Sequence, residues 1–237
     1  SIIDDINNEK IHEKPIEKEI IKIEKLCKKG YSGDGKEKPN QDNYFIYNNF
    51  NNDSNNIYMG VCDGHGDYGH EISSFLVTNL PLVLGNFLRI FNIKDISLID
   101  SETLLPIVVN SCTQVNQNLY SEKNIDCNFS GTTCVSLIYT SKKVFCINIG
   151  DSRCIVGKFD GSNWKSENLS NDHKPQSVKE KERIIKSGGI IRQSVDAKGE
   201  FIGPQRVWVK DGDVPGLAMT RRFGDEIAHQ LGVICEP

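Results

Sequence analysis

The sequence predicts an α+β fold. Two observations carry this expectation. Short apolar segments of strand character stand both before and after a pair of long helical stretches, which suggests two layers of sheet, and 237 residues with 38% hydrophobic and 25% charged content suffice for one sizeable core. No internal repeat or linker interrupts the chain, so residues 1–237 are read as one domain.

In chain order, Ile16, Ile20, Ile23 and Cys27 recur at helical spacing among Glu and Lys and predict a surface helix over about residues 5–29. Strands are expected at 44–47 and 57–63, joined by an Asn-rich, solvated loop over 48–56. Residues 69–91 and 102–120 read as helices, the first bent near Pro81. Strands return at 132–139, 144–149 and 154–159. A helix over 175–187 follows, with Pro175 suited to its first turn and Gly188 to its stop.

A net charge of −4 offers no footprint for nucleic acid or an anionic membrane, so neither is expected as a partner. No apolar run approaches the ~18 residues of a membrane span, and the first residues carry no signal-peptide pattern. Among eight cysteines, Cys62, Cys134, Cys146 and Cys154 lie within apolar strand patterns as small buried hydrophobes, and no C-x-x-C pair suggests zinc. A reducing, intracellular compartment is expected, cytoplasmic or nuclear.

The chemistry concentrates in Asp63-Gly64-His65-Gly66, where the strand ending at Cys62 delivers a carboxylate into a tight loop. Within three residues stand a carboxylate, a backbone carbonyl on Gly64 and an imidazole. Hard divalent cations such as Mg²⁺ or Mn²⁺ take such oxygen ligands. An ordinary strand-to-helix turn, its glycines there for positive φ, is the plain alternative. A rival motif, Gly30-Tyr31-Ser32-Gly33-Asp34-Gly35-Lys36, has the spacing of a phosphate-cradling loop. It is set aside because Glu37 stands where a hydroxyl is needed and the preceding segment reads as helix instead of strand.

Three further segments follow: Ser130-Gly131-Thr132-Thr133, Gly150-Asp151-Ser152-Arg153, and the run from Leu217 through Ala218, Met219, Thr220, Arg221, Arg222, Phe223 and Gly224 to Asp225. With Asn40-Gln41-Asp42 upstream and Asn171-Asp172-His173-Lys174-Pro175, in this order, they resemble the metal-dependent serine/threonine protein phosphatases of type 2C. Arg206-Val207-Trp208 and Asp213-Val214-Pro215-Gly216 are most similar to the plant and protist branch. The resemblance runs from about Lys29 to the last residue.

The resemblance implies a four-layer αββα sandwich, two mainly antiparallel sheets flanked by helices, acting as a monomer on phosphoserine and phosphothreonine in protein substrates. It implies two Mg²⁺ or Mn²⁺ ions and, in some relatives, a third, weaker site. Two ions sharing a carboxylate would neutralise the phosphoryl oxygens and acidify the attacking water. Asp63 is the candidate bridge, Gly64 contributes its carbonyl, and Asp42 reaches the site through water. Gln41 stands where many relatives carry glutamate. Asp151 matches the weaker site; a turn aspartate capping its own loop is the other reading. His65 matches the proposed general acid; a solvent-facing turn histidine is the other reading. Lys36 and Lys38 stand near the place of an arginine phosphate anchor, either as point charges or as part of a solvated loop. Asp225 reads as a structural polar partner. Residues 190–209, with Arg192 and Arg206, correspond to a variable flap beside the site in relatives; a plain, charged surface excursion is the other reading.

Two further metal-binding aspartates usual in the family, in an Asp-Gly-aromatic-Trp-Asp motif and a late Asp-Asn pair, do not occur before the chain ends at Cys235-Glu236-Pro237. The expectation is a catalytic domain lacking its C-terminal strands and helices. Two alternatives stay open: a catalytically incomplete phosphatase-like module that binds phosphoproteins or a partner, and a small-molecule phosphatase.

Overall fold

The computed structural model describes residues 21–30 and 39–237. Its framework is a four-stranded antiparallel sheet in the order β1 (Asn43–Asn48), β2 (Ile57–Cys62), β5 (Cys134–Tyr139), β6 (Val144–Ile149). Alternation sends Phe45, Tyr58, Cys62, Cys134 and Ile138 to one face, where they pack against α1 (Gly69–Ile90) and α2 (Ser101–Tyr120). Ile72, Leu76, Leu80, Leu84 and Leu88 recur every fourth residue along α1 and are all buried. The helix continues through the buried Pro81. In α2 the Asp100 side chain accepts from the Thr103 amide at 2.8 Å and fixes the first turn.

A two-stranded hairpin, β7 (Ile155–Phe159) with β8 (Trp164–Asn168), and a three-stranded sheet of order β11-β10-β9 follow. The latter is built from β9 (Ile190–Val195), β10 (Phe201–Trp208) and β11 (Pro215–Leu217), so the expected flap over 190–209 is a hairpin with a third strand. A small second core of Ile184, Val207, Leu217, Ala228 and Val233 joins this sheet to α3 (Val178–Lys186) and α4 (Glu226–His229). Pro175 precedes α3, whose N-cap is Ser177, and Gly188 leaves it at φ 85°. The α+β class with antiparallel sheets is thus borne out.

Three expectations change. Residues 21–29 of the expected N-terminal helix have no regular structure, and residues 5–20 lie outside the described ones. A stripe one residue wide among Glu and Lys buries too little to offset helix nucleation. The segment instead lies beside the start of β1, with Lys25 Nζ 5.0 Å from the Tyr44 ring centroid and Asn40 Nδ2 donating to Cys27 Sγ at 3.1 Å. The loop over 48–56 is not simply solvated, because Phe50 is buried with its ring centroid 4.8 Å from that of Tyr58. Finally, α1 does have the length and hydropathy of a membrane span. Leu76, Leu80, Leu84 and Leu88 of this helix are buried in the core, while Leu82 and Ile90 are exposed.

Candidate active site

The motifs scattered through the sequence are gathered by three two-residue strands. β3 (Gly64–His65) pairs with β4 (Gly131–Thr132), which pairs in turn with β12 (Phe223–Gly224); Gly64 lies opposite Thr132, and Gly131 lies between His65 and Gly224. One small sheet therefore brings together Asp63-Gly64-His65-Gly66, Ser130-Gly131-Thr132-Thr133 and the segment ending at Asp225. Around Asp63 the backbone is tied down, since its carbonyl accepts from the Thr133 amide at 3.0 Å and its amide donates to Thr133 Oγ1 at 3.2 Å. Thr133 Oγ1 also meets Ser152 Oγ at 2.6 Å, which links this loop to the Asp151 turn.

Glycine at position 64 is required by space. A Cβ there would overlap the carbonyl oxygens of Gly69 and Gln41. Gln41 braces the loop: its carbonyl accepts from the Gly64 amide at 3.2 Å and from Ser73 Oγ at 2.8 Å, and its side-chain amide donates to the Gly66 carbonyl. It is buried and acts on the loop's shape. Gly64→Ala is expected to displace the loop and remove activity, with the amide spectrum changing around residues 41, 64 and 69. An active, spectroscopically unchanged variant would contradict the cradle.

Asp63 and Asp42 both open to solvent, on the wall of a cleft of about 520 Å³ that Ser152 also lines. The Asp63 carboxyl is held above its ordinary range, first by partial enclosure, then by the negative charges of Asp42 and Asp151, and it lies close enough to Asp42 to share a proton with it. Carboxylates crowded in this way suit a hard cation. Asp151 is ion-paired with Lys174, so its charge is already partly answered. Among the described residues no group of three or more Asp, Glu, His or Cys is disposed to hold an ion alone. The donor set present fits one divalent ion at Asp63 and Asp42, supplemented by backbone oxygen and water. Lys36 and Lys38 lie outside the described residues, as does most of the rival glycine-rich loop; the segment before it, residues 21–30, is neither helix nor strand.

His65 is about a quarter exposed, and its Nε2 stands 2.6 Å from Oδ2 of the buried Asp225. Arg222, equally buried, donates from Nε to the same oxygen at 2.5 Å. Sequence reasoning left Asp225 as a structural partner because 160 positions separate it from His65. Behind the Asp151 turn, His173 Nδ1 accepts from the Gly150 amide at 3.2 Å. Burial, and next the charge of Arg221, push its imidazole down to about 4. A folded value below the unfolded 6.5 means that protons favour the unfolded chain. The stability it contributes is complete above 6.5 and lost toward 4, and His173→Asn is expected to flatten the urea-midpoint profile across that window.

A sequence model of the family "Protein phosphatase 2C" matches residues 29–237. The chain belongs to the protein phosphatase 2C family. Two Arabidopsis thaliana proteins are similar to it. "Probable protein phosphatase 2C 65" is 34% identical over 213 residues, which are 86% of this chain and 55% of that protein. "Probable protein phosphatase 2C 35" is 32% identical over 226 residues, 90% of this chain and 62% of that protein. The solved structure of a serine-threonine phosphatase 2C from Toxoplasma gondii shares the fold, with a TM-score of 0.62 and 20% identity over 78% of this chain and 62% of that one. This phosphatase 2C chain thus spans between half and two thirds of the length of these relatives. The family is metal-dependent, which agrees with the oxygen-rich character of the Asp63 site.

Proposed function

We propose that the protein hydrolyses phosphoserine and phosphothreonine esters in protein substrates with a water activated by Mg²⁺ or Mn²⁺. The observation that carries this reading is the small three-stranded sheet that sets His65 beside Asp63, with Asp42 close enough to share that carboxyl's proton. Asp63 and Asp42 would hold one divalent ion, with the Gly64 carbonyl as a further oxygen and Asp151 at a second, weaker site. When bound, such ions supply charge neutralisation on the phosphoryl oxygens and an acidified water. His65 supplies the proton for the departing serine or threonine oxygen. Lys36 or Lys38 provides a point charge for the phosphate.

Eight free cysteines support an intracellular setting, cytoplasmic or nuclear. A second reading, a phosphatase-like module that binds phosphoproteins without turnover, is favoured by one observation: no three-ligand cluster forms among the described residues. The test is turnover of a phosphothreonine peptide and of a sugar phosphate, with Mn²⁺ or Mg²⁺ and again with chelator. Metal-dependent release from the peptide is expected. Binding of the peptide without turnover under any metal would replace the enzyme reading, and turnover of the sugar phosphate alone would change the substrate class.

A further inference from the structure

We propose that Asp225 is the positioning residue for His65, accepting from Nε2 and so fixing the orientation and tautomer of its ring. The proposal rests on the phosphatase reading of this site. An ionised carboxylate can only accept, so its 2.6 Å partner Nε2 must carry a hydrogen. Nδ1 is buried and has no partner among the described residues, so no bond on that side competes with Asp225 for the tautomer.

Several features hold this pair. Asp225 takes a left-handed backbone at φ 45°, a conformation disfavoured for a side-chain-bearing residue, with its amide bonded to the Ser130 carbonyl at 2.8 Å. The preceding Gly224 is anchored by Asn116 Oδ1 at 2.9 Å and by Tyr120 Oη at 3.1 Å. Gly131 passes so close that a Cβ would overlap Asp225 Oδ2 and sit 3.1 Å from His65 Cε1, so any side chain there would wedge the two apart. Arg222 supplies the opposite charge that lets the carboxylate be buried. A nucleophile or acid oriented by a second group, itself oriented by a third, is a recurrent catalytic design.

The test is the histidine tautomer, read by ¹⁵N NMR on the Mg²⁺-loaded, histidine-labelled chain at a pH where the imidazole is neutral, with His65→Asn for assignment. Hydrogen on Nε2 is expected in the wild type. Hydrogen on Nδ1, or an averaged signal, would overturn the proposal whether or not the chain is an active phosphatase. In Asp225→Asn, Arg222 claims the amide oxygen and the NH₂ group faces His65, so the tautomer should flip to Nδ1–H. With a phosphothreonine peptide, kcat is expected to fall about 100-fold at nearly constant KM. With p-nitrophenyl phosphate, whose leaving group departs without a proton, the loss should be less than about 10-fold. The double variant with His65→Asn should be no worse than His65→Asn alone. Equal losses on both esters, or additive losses in the double variant, would assign Asp225 a structural role only. Absence of wild-type turnover on both esters would instead defeat the phosphatase reading and leave the tautomer to decide the pairing.

Discussion

Asp63→Asn is expected to lower metal-dependent turnover by about 100-fold or more, while the chain stays folded and becomes more stable without divalent ions. The stability gain follows from the sign of the carboxyl's shift. Its folded value is raised, by partial enclosure first and then by Asp42 and Asp151. A raised carboxyl stabilises the fold while protonated, below its unfolded value, and that contribution is lost as pH rises through the folded value. At neutral pH an ionised Asp63 therefore works against the ion-free fold. Asparagine has nearly the same shape and no charge. Thermal unfolding in chelator should move to higher temperature in the variant, and adding Mg²⁺ should raise the wild-type midpoint much more than the variant's. Unchanged turnover would remove Asp63 from the metal site.

The largest stability effect is expected from Glu180→Ala. Glu180 of α3 is buried, and its carboxylate accepts from Arg183 at 2.7 Å, from Arg221 at 2.6 Å and from Thr220 Oγ1 at 2.5 Å. Burial alone would disfavour the charge, but these donors outweigh it and hold the carboxyl far below its ordinary range. Because the folded value is depressed, this contribution is present above the unfolded 4.5 and lost as pH falls below it. Alanine deprives two guanidinium groups of their carboxylate, at a cost of about 3–5 kcal/mol, and Arg221 keeps a bond to the Glu236 carbonyl. Arg183 keeps bonds to the carbonyls of Gly232 and Thr220, which favours the lower end of that range. Urea unfolding at pH 7 and again near pH 4 should show the wild-type advantage shrinking at the lower pH. A loss below about 1 kcal/mol at pH 7 would mean that the network is screened like a surface pair.

Long, periodic elements were legible in the sequence because their patterns are local. The fourfold spacing from Ile72 to Leu88 and the apolar run of β6 needed no knowledge of their partners. The loop at Asp63 was equally legible, since its chemistry is written in four consecutive residues. β8 was not, because Trp164 and its neighbours are exposed and leave no alternation to read. β3, β4 and β12 are two residues each and form only because distant segments meet. For the same reason the pairing of Asp225 with His65 and that of Lys174 with Asp151 were invisible. Residues 21–29 show the opposite failure, a helical spacing whose apolar stripe is too narrow to sustain a helix.

Calorimetric titration of Mg²⁺ or Mn²⁺ into the wild-type chain and Asp63→Asn tests most directly whether Asp63 and Asp42 hold a divalent ion. Measured near neutrality and again at lower pH, in buffers of different ionisation enthalpy, binding is predicted only for the wild type. Proton release should grow toward lower pH, since ions must compete with the proton that the raised Asp63 carboxyl retains. Equal affinity in the variant, or wild-type binding without proton release at any pH, would contradict the account.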